Sequence, residues 1–422
     1  MSSPENAADR EFDIVLYGAT GFVGKLTAQY LATAGDGARI ALAGRSTDRL
    51  LAVRDTLGPA AQSWPLIAAD ASQPSTLNAM AASTRVVIST VGPYMRYGVP
   101  LVAACAAAGT DYADLTGEPL FIRECIDLYH KEAVDTGARI VHSCGFDSIP
   151  SDLTVFALYR QAERDGAGQL GDTNYVVRRF AGGLSGGTIA SMTNLFREAA
   201  KDPEARRLLN DPYTLTPDRS AEPDFGPQPD ARWRRGRDIA PELDGYWVGA
   251  FAMAIPNSRI VRRSNAMLGY AYGRRFEYAE QMSLGRSIVA PVAAAMATGG
   301  NVATVELGGR FLDRVPERIL ERILPKPGTG PSERAREQGH YTVETYTTTS
   351  TGARYVARMS QQGDPGYKAT SVLLGESGLA LALDRDKLSE LTGVLTPAAA
   401  MGDALLARFP AAGVSLETLR LP

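Results

Sequence analysis

The sequence predicts an α/β fold, a doubly wound parallel sheet of the Rossmann type joined to a second, mixed α+β domain. Three observations predict it. Apolar runs at 12–17, 39–43, 64–69, 85–91 and 138–142 alternate with amphipathic, alanine-rich stretches at 22–34, 47–57, 74–82, 97–108 and 120–135. That alternation is the punctuation of repeated βαβ units. A glycine-rich turn separates the first apolar run from the first helical stretch, and beyond about residue 170 the rhythm gives way to strand-like runs with long irregular connections.

The first run, Phe12 to Tyr17, leads into Gly18, Ala19, Thr20, Gly21, Phe22, Val23 and Gly24, and Lys25 follows. Strand, glycine turn and helix in that order form a cradle for a nucleotide pyrophosphate. Gly18 permits the tight turn, Gly21 admits the pyrophosphate to the backbone, and Gly24 lets helix approach strand. The helix N-terminus then offers free N–H groups and a positive dipole end. A phosphate loop of the Walker type would need glycine where Ala19 stands and Ser or Thr where Leu26 stands, so that alternative is disfavoured.

The second run ends in Gly44, Arg45 and Ser46. An NAD-preferring fold usually places an acid here to hold the ribose 2′-hydroxyl. A guanidinium instead suits a 2′-phosphate, so the expected cofactor is NADP(H). After the third run come Asp70 and Ala71, and Asp70 either faces the adenine or caps the next helix. The fourth run ends in Ser89, Thr90, Val91, Gly92, Pro93 and Tyr94, where the nicotinamide half would pass and Tyr94 would turn towards a substrate. After the run at 138–142, Ser151 or Asp152 is expected to cap a helix reaching about Arg164. Asp147 and Ser148 would then project from a loop at the carboxyl edge of the sheet, beside the cofactor.

In the second domain, 174–180, 341–349 and 354–361 read as strands, the last two joined as a hairpin by Ser350, Thr351 and Gly352. The irregular connections 211–241 and 324–339 lie between. Arg232, Arg234, Arg235 and Arg237 surround Trp233. They read as a solvated loop or as a surface for an acidic carrier or a phosphopantetheine phosphate. Helical patterns return at 367–383 and 397–408. The expected organisation is a disordered tail over 1–10, an NADP-binding domain over 11–150, a substrate domain over 151–365, and C-terminal helices over 366–422 that return to the first domain.

The 422 residues are 45% hydrophobic with a net charge of −3, which argues against a nucleic-acid partner held through phosphates. Cys105, Cys125 and Cys144 form no CxxC pair, and with only three histidines no metal site is expected. This usage suits a reducing compartment, and Met1 to Arg10 has no apolar signal-peptide core, so a cytoplasmic location is expected. The segment 287–305 is too short and too rich in small and polar residues to span a membrane. It is expected to be a buried helix, with peripheral lipid contact as the other reading.

The motifs Gly18–Gly24, Ala43-Gly44-Arg45, Val91-Gly92-Pro93-Tyr94, Tyr112-Ala113-Asp114-Leu115-Thr116-Gly117-Glu118 and Gly145–Asp152 together resemble the saccharopine dehydrogenase-like oxidoreductases. More narrowly, the chain is similar to the mycobacterial trans-acting enoyl reductases, which work beside polyketide synthases on the route to phthiocerol and phenolphthiocerol lipids. That resemblance implies a nicotinamide cofactor and a substrate domain inserted before a returning helix. It also implies NADPH-dependent reduction of the α,β double bond of a polyketide or long acyl chain that is carrier- or synthase-bound. Saccharopine enzymes typically carry Gly-Leu-Asp-Pro-Gly after the last strand, whereas this chain has Gly145-Phe146-Asp147-Ser148-Ile149-Pro150. Amino-acid chemistry is thereby disfavoured, although a saccharopine-type amino-acid or imine dehydrogenase and a non-catalytic NADP-sensing protein stay open as alternatives.

Reduction of an enoyl thioester needs a hydrogen-bond donor for the thioester oxygen and a proton for the α-carbon. None of the 17 tyrosines has lysine four residues later, so the Tyr-x-x-x-Lys arrangement is absent. Tyr94, Tyr97 and Tyr112 are the candidate donors, with Asp147 or Ser148 on the opposite wall.

Overall fold

The structure, a computed structural model, describes residues 10–35, 37–182, 185–224, 226–287, 289–296 and 330–422. The chain begins with β1 (Phe12–Tyr17), α1 (Phe22–Ala34), β2 (Ile40–Gly44), α2 (Thr47–Arg54), β3 (Leu66–Ala68), α3 (Pro74–Ser83) and β4 (Thr84–Ser89). One turn of helix, α4 (Tyr94–Tyr97), precedes α5 (Val99–Ala108), β5 (Asp111–Asp114), α6 (Pro119–Thr136), β6 (Arg139–Val141) and α7 (Ile149–Arg164). There follow β7 (Leu170–Ala181), α8 (Gly186–Lys201), α9 (Pro203–Asn210), β8 (Arg234–Arg235), β9 (Trp247–Ala250), α10 (Ala254–Met267) and β10 (Glu277–Ser283). The remaining elements are α11 (Glu333–Gln338), β11 (His340–Thr349), β12 (Arg354–Gln362), α12 (Thr370–Leu383), β13 (Gly393–Leu395), α13 (Pro397–Arg408) and β14 (Val414–Leu421).

Two seven-stranded sheets result. The first has the order β13-β6-β5-β4-β1-β2-β3 and is parallel throughout. Its central strand β1 is buried along its whole length, which is why Phe12–Tyr17 reads as an unbroken run rather than an alternation. Strand order reverses between β1 and β4, and the crevice beyond the carboxyl ends at that switch point is where such sheets bind ligands. The second sheet, β14-β12-β11-β7-β10-β9-β8, is mixed, with only β7 and β10 parallel.

Helix α12 lies across the first sheet against α1. A Cβ at Gly378 would sit 2.2 Å from the Ile88 Cδ1, and one at Gly375 would sit 2.5 Å from the Tyr30 ring, so both glycines permit this close approach. The segment after α12 then serves both sheets: β13 pairs with β6 in the first and β14 with β12 in the second. One continuous core runs through both layers and joins Ile14 and Ile88 of the first to Tyr341 and Met359 of the second.

Several elements differ from the sequence reading. Strand β5 is absent from it because Asp111 and Asp114 disguise a fully buried segment. Strands β9, β10, β13 and β14 and helix α10 also lacked a periodic signal. Helix α7 is capped at Ser148, so Ser151 and Asp152 lie inside its first turn, both buried. Of 287–305, residues 290–296 are helical, with Ala290 and Ala294 buried and Val289, Val292 and Met296 exposed. The rest of that segment, from 297, lies outside the described residues, as do residues 324–329 of the connection 324–339. Among the described residues no helix is long and apolar enough to cross a membrane.

Candidate active site

The turn after β1 is built by what its glycines lack. Gly18 has φ +88°, and a Cβ there would meet Thr90 and Val91 side chains at 2.7 Å. At Gly24 a Cβ would lie 2.2 Å from the Gly18 carbonyl oxygen and 2.9 Å from the Ala19 Cα, so α1 rests directly on the turn. Gly21 caps α1 without any side-chain acceptor, which leaves the first-turn amides available to an anion.

Above this turn opens a cleft of about 540 Å³. Gly18, Thr20, Gly21, Gly44, Arg45, Asp70, Ala71, Thr90, Val91, Gly92 and Tyr97 line it, so four separate strand ends converge there. Ser72, which follows Asp70 and Ala71 at the end of the third run, lines it too, and so do Tyr17 and Arg96, which were not anticipated. Ala19 and Gly24 are buried behind the turn, and Pro93 starts α4. Val23 is half-buried in the first turn of α1. Phe22 instead meets Tyr367 edge-to-face at 4.9 Å, with the Arg336 guanidinium over its ring. Ser46 accepts the Arg49 amide at 3.4 Å as the cap of α2.

The electrostatics of the cleft suit a dinucleotide phosphate. Arg45 is exposed at the rim where β2 ends. Asp70 accepts the Ser72 N–H and O–H, both at 2.9 Å, and these bonds with the Arg45 charge hold its carboxyl below the usual range. It is thus a fixed carboxylate in an Asx turn. Burial, followed by the Asp70 charge, pushes the Tyr17 phenol up to about 12 and keeps it a neutral hydroxyl. Free amides at a helix N-terminus, a side-chain-free floor and a guanidinium at the end of β2 fit NADP(H).

The proposed donors separate into two groups. Tyr94 is buried, its hydroxyl donates to the Ser89 carbonyl at 3.0 Å, and its ring packs on Phe121. Tyr112 is wholly buried and donates to Asp114 Oδ2 at 3.0 Å. Burial first, then the Asp114 charge, drives both phenols well above their ordinary value. Ser148 is equally buried, with its hydroxyl donating to Asn257 Oδ1 at 2.9 Å. These three side chains belong to the core rather than the crevice wall, a correction to the sequence reading. Tyr97 does line the cleft, beneath the Arg96 guanidinium at 5.1 Å. Asp147 is half-buried in the β6–α7 loop, with Oδ2 4.0 Å from where a Gly117 Cβ would stand.

Two buried carboxylates brace this edge. Asp114 accepts the Thr116 and Ser143 amides and the Tyr112 hydroxyl, and lies 2.7 Å from His142 Nδ1. Glu118 accepts the Tyr94 and Met95 amides at 3.1 and 2.8 Å and the Ser191 hydroxyl at 2.5 Å. It therefore ties the loop after β4 to the loop after β5 and to α8. Of the arginines near Trp233, Arg232 pairs with Asp172 and Glu277, Arg234 pairs with Asp172, and Arg235 lies over the Trp247 ring.

The saccharopine dehydrogenase NADP binding domain family matches residues 14–141, which span β1 to β6. A Mycobacterium tuberculosis protein is 69% identical over 415 residues, 98% of this chain and 99% of its own. Trans-acting enoyl reductases of Mycobacterium ulcerans and Mycobacterium bovis are each 64% identical, over 99% and 98% of this chain and 100% and 99% of theirs. Among solved structures, apo saccharopine dehydrogenase (L-Glu forming) from Saccharomyces cerevisiae shares the fold with a TM-score of 0.53 at 14% identity, covering 97% of this chain and 99% of that one. The chain belongs to the trans-acting enoyl reductase family, built on an NADP-binding domain of the saccharopine dehydrogenase type.

Proposed function

We propose that this protein is an NADPH-dependent enoyl reductase that acts in trans on an α,β-unsaturated acyl chain held by a polyketide synthase, on the route to phthiocerol and phenolphthiocerol lipids. The observation that carries the reading is the cleft at the β1/β4 switch point with Arg45 at the end of β2. Family membership supplies the reaction class.

In this reading the amides of Phe22 to Gly24 hold the pyrophosphate, Arg45 the 2′-phosphate, and Gly92 leaves room for the nicotinamide half. When bound, NADPH supplies the hydride that the β-carbon of the enoyl group accepts. In the same reading Tyr97, which lines the cleft, donates a hydrogen bond to the thioester oxygen, where charge develops. The reading puts the protein in the cytoplasm beside the synthase, and the exposed Val289, Val292 and Met296 offer an apolar face for peripheral lipid contact.

The test is NADPH oxidation by purified protein with carrier-bound and free α,β-unsaturated acyl thioesters. Turnover is expected with both, faster when carrier-bound. Protein that binds NADPH but reduces neither substrate would sink the proposal.

A further inference from the structure

The motif Asp114-Leu115-Thr116-Gly117-Glu118 lines no part of the cofactor cleft, yet its polar members bond one another in sequence. The Thr116 amide donates to Asp114 Oδ1 at 3.1 Å, and the Glu118 amide donates to Thr116 Oγ1 at 3.2 Å. The loop so fixed presents Glu118, which is buried. Its carboxyl accepts the amides of Tyr94 and Met95, the first two residues of α4, and α4 carries Arg96 and Tyr97 to the cleft wall. The third donor is the Ser191 hydroxyl of α8, which shares Oε1 with the Tyr94 amide. All three partners donate, so the site suits a group that only accepts, as a carboxylate does and an amide side chain does not.

Helix α8 has a second tie, on the opposite flank of the crevice. The Gly186 amide, in its first turn, donates to the Tyr367 hydroxyl at 3.0 Å. The Tyr367 ring meets Phe22 edge-to-face at 4.9 Å, and Phe22 opens α1 directly after Gly21. Gly186 and Ser191 lie five residues apart in α8, about 7.5 Å along a helix. The start of α8 therefore joins the α1 side of the cleft to the α4 side. Farther along, Leu195 and Ala199 pack with Leu120 of α6, Leu209 of α9 and Ile255 of α10, which seats the rest of the helix.

We propose that Glu118 is a positioning residue for the reduction, and that the Ser191 bond makes its hold on α4 depend on where α8 sits. With α8 seated, Ser191 and the two α4 amides bond Glu118 together, and Arg96 and Tyr97 stand at the cleft wall. With α8 withdrawn, the buried carboxyl loses a donor that only water can replace, and α4 is held less firmly. NADPH gains from the seated arrangement because Arg96 and Tyr97 line its cleft. The acyl thioester gains from it through Tyr97, a step that rests on the enoyl reductase reading. Two ligands that favour one arrangement tighten each other's binding by the same factor. Glu118 touches neither ligand and acts through α4.

The test measures the NADPH affinity of the full-length protein by nicotinamide fluorescence, alone and with saturating palmitoyl-pantetheine, a thioester without a double bond to reduce. In the wild type the thioester should tighten NADPH binding roughly tenfold, a usual size for such coupling. In S191A the gain should shrink to less than about twofold, and S191T, which restores the hydroxyl, should recover it. Hydrogen exchange supplies a readout that needs no acyl ligand. NADPH alone should protect both 94–97 and 186–191 in the wild type, and only 94–97 in S191A. An S191A protein that keeps the wild-type gain or the protection of 186–191, or a wild type without that protection, overturns the inference and leaves the enoyl reductase reading standing. Wild type that reduces no enoyl thioester, while S191A still loses protection of 186–191, overturns the reading and leaves the link between Glu118 and Ser191 standing.

Discussion

Arg45 occupies the strand end where an acid would repel a 2′-phosphate, and its guanidinium is exposed at the rim of the cleft. Two charge-assisted contacts at about 1.5 kcal/mol or more each make Arg45→Ala bind NADPH roughly ten- to hundredfold more weakly, after allowing for solvent screening. NADH affinity should be unchanged. Titration by nicotinamide fluorescence checks this, and an equal loss for both cofactors would remove Arg45 from 2′-phosphate recognition. The positions of the turn at 18–24 and of Arg45 were readable because local backbone and a strand end fix them. Tyr94 and Tyr112 misled because motif position says nothing about which way a ring turns, and both turn into the core. The contacts of Asn257 on α10 with Ser151 on α7 and Glu280 on β10 were not legible, because these residues meet only after the three elements have packed.

At the scale of elements, β1 was legible as an unbroken apolar run, and α1, β11 and β12 from their local sequence pattern. Strand β5 was not, because its acids are satisfied from afar: Asp111 by Arg139 and Arg385, Asp114 by His142 and loop amides. Helix α10 hides likewise, with Arg259, Arg262 and Arg263 all buried. Strand β13 depends on a comparable remote contact, since the Val394 amide donates to His130 Nδ1 at 3.0 Å. That bond requires an unprotonated Nδ1. Burial first, then the nearby Arg263 and, more weakly, Arg123 charges, depress the His130 pKa below its ordinary 6.5. The folded state therefore prefers neutral imidazole. Its contribution to stability is complete above about 6.5 and is lost as pH falls from there through the folded-state value. Urea unfolding of wild type and His130→Leu should show a stability gap near neutral pH that narrows on acidification. A gap independent of pH would contradict this account.

For the whole molecule, the two sheets share one core, and α13 is clamped to α12 by Arg408 with Glu376 and Asp384. Strand β14 covers β12 along eight register pairs on the outer edge of the second sheet. Removing Val414–Leu421 should therefore bare β12 as a long edge strand, lower the urea midpoint and promote self-association visible by light scattering. NADPH affinity should survive, because the cleft belongs to the first sheet. An unchanged midpoint together with monomeric behaviour would show that β14 contributes little.

The placement of β13 and β14 also bears on synthesis. Strand β6 is translated some 250 residues before its neighbour β13, an interval of roughly 13–50 s at ribosomal elongation rates. During that time the nascent first sheet presents an open parallel edge, and the second sheet cannot close until residue 421 emerges. Two unfinished edges are thus open on the ribosome, and depleting co-translational chaperones is expected to lower the soluble yield.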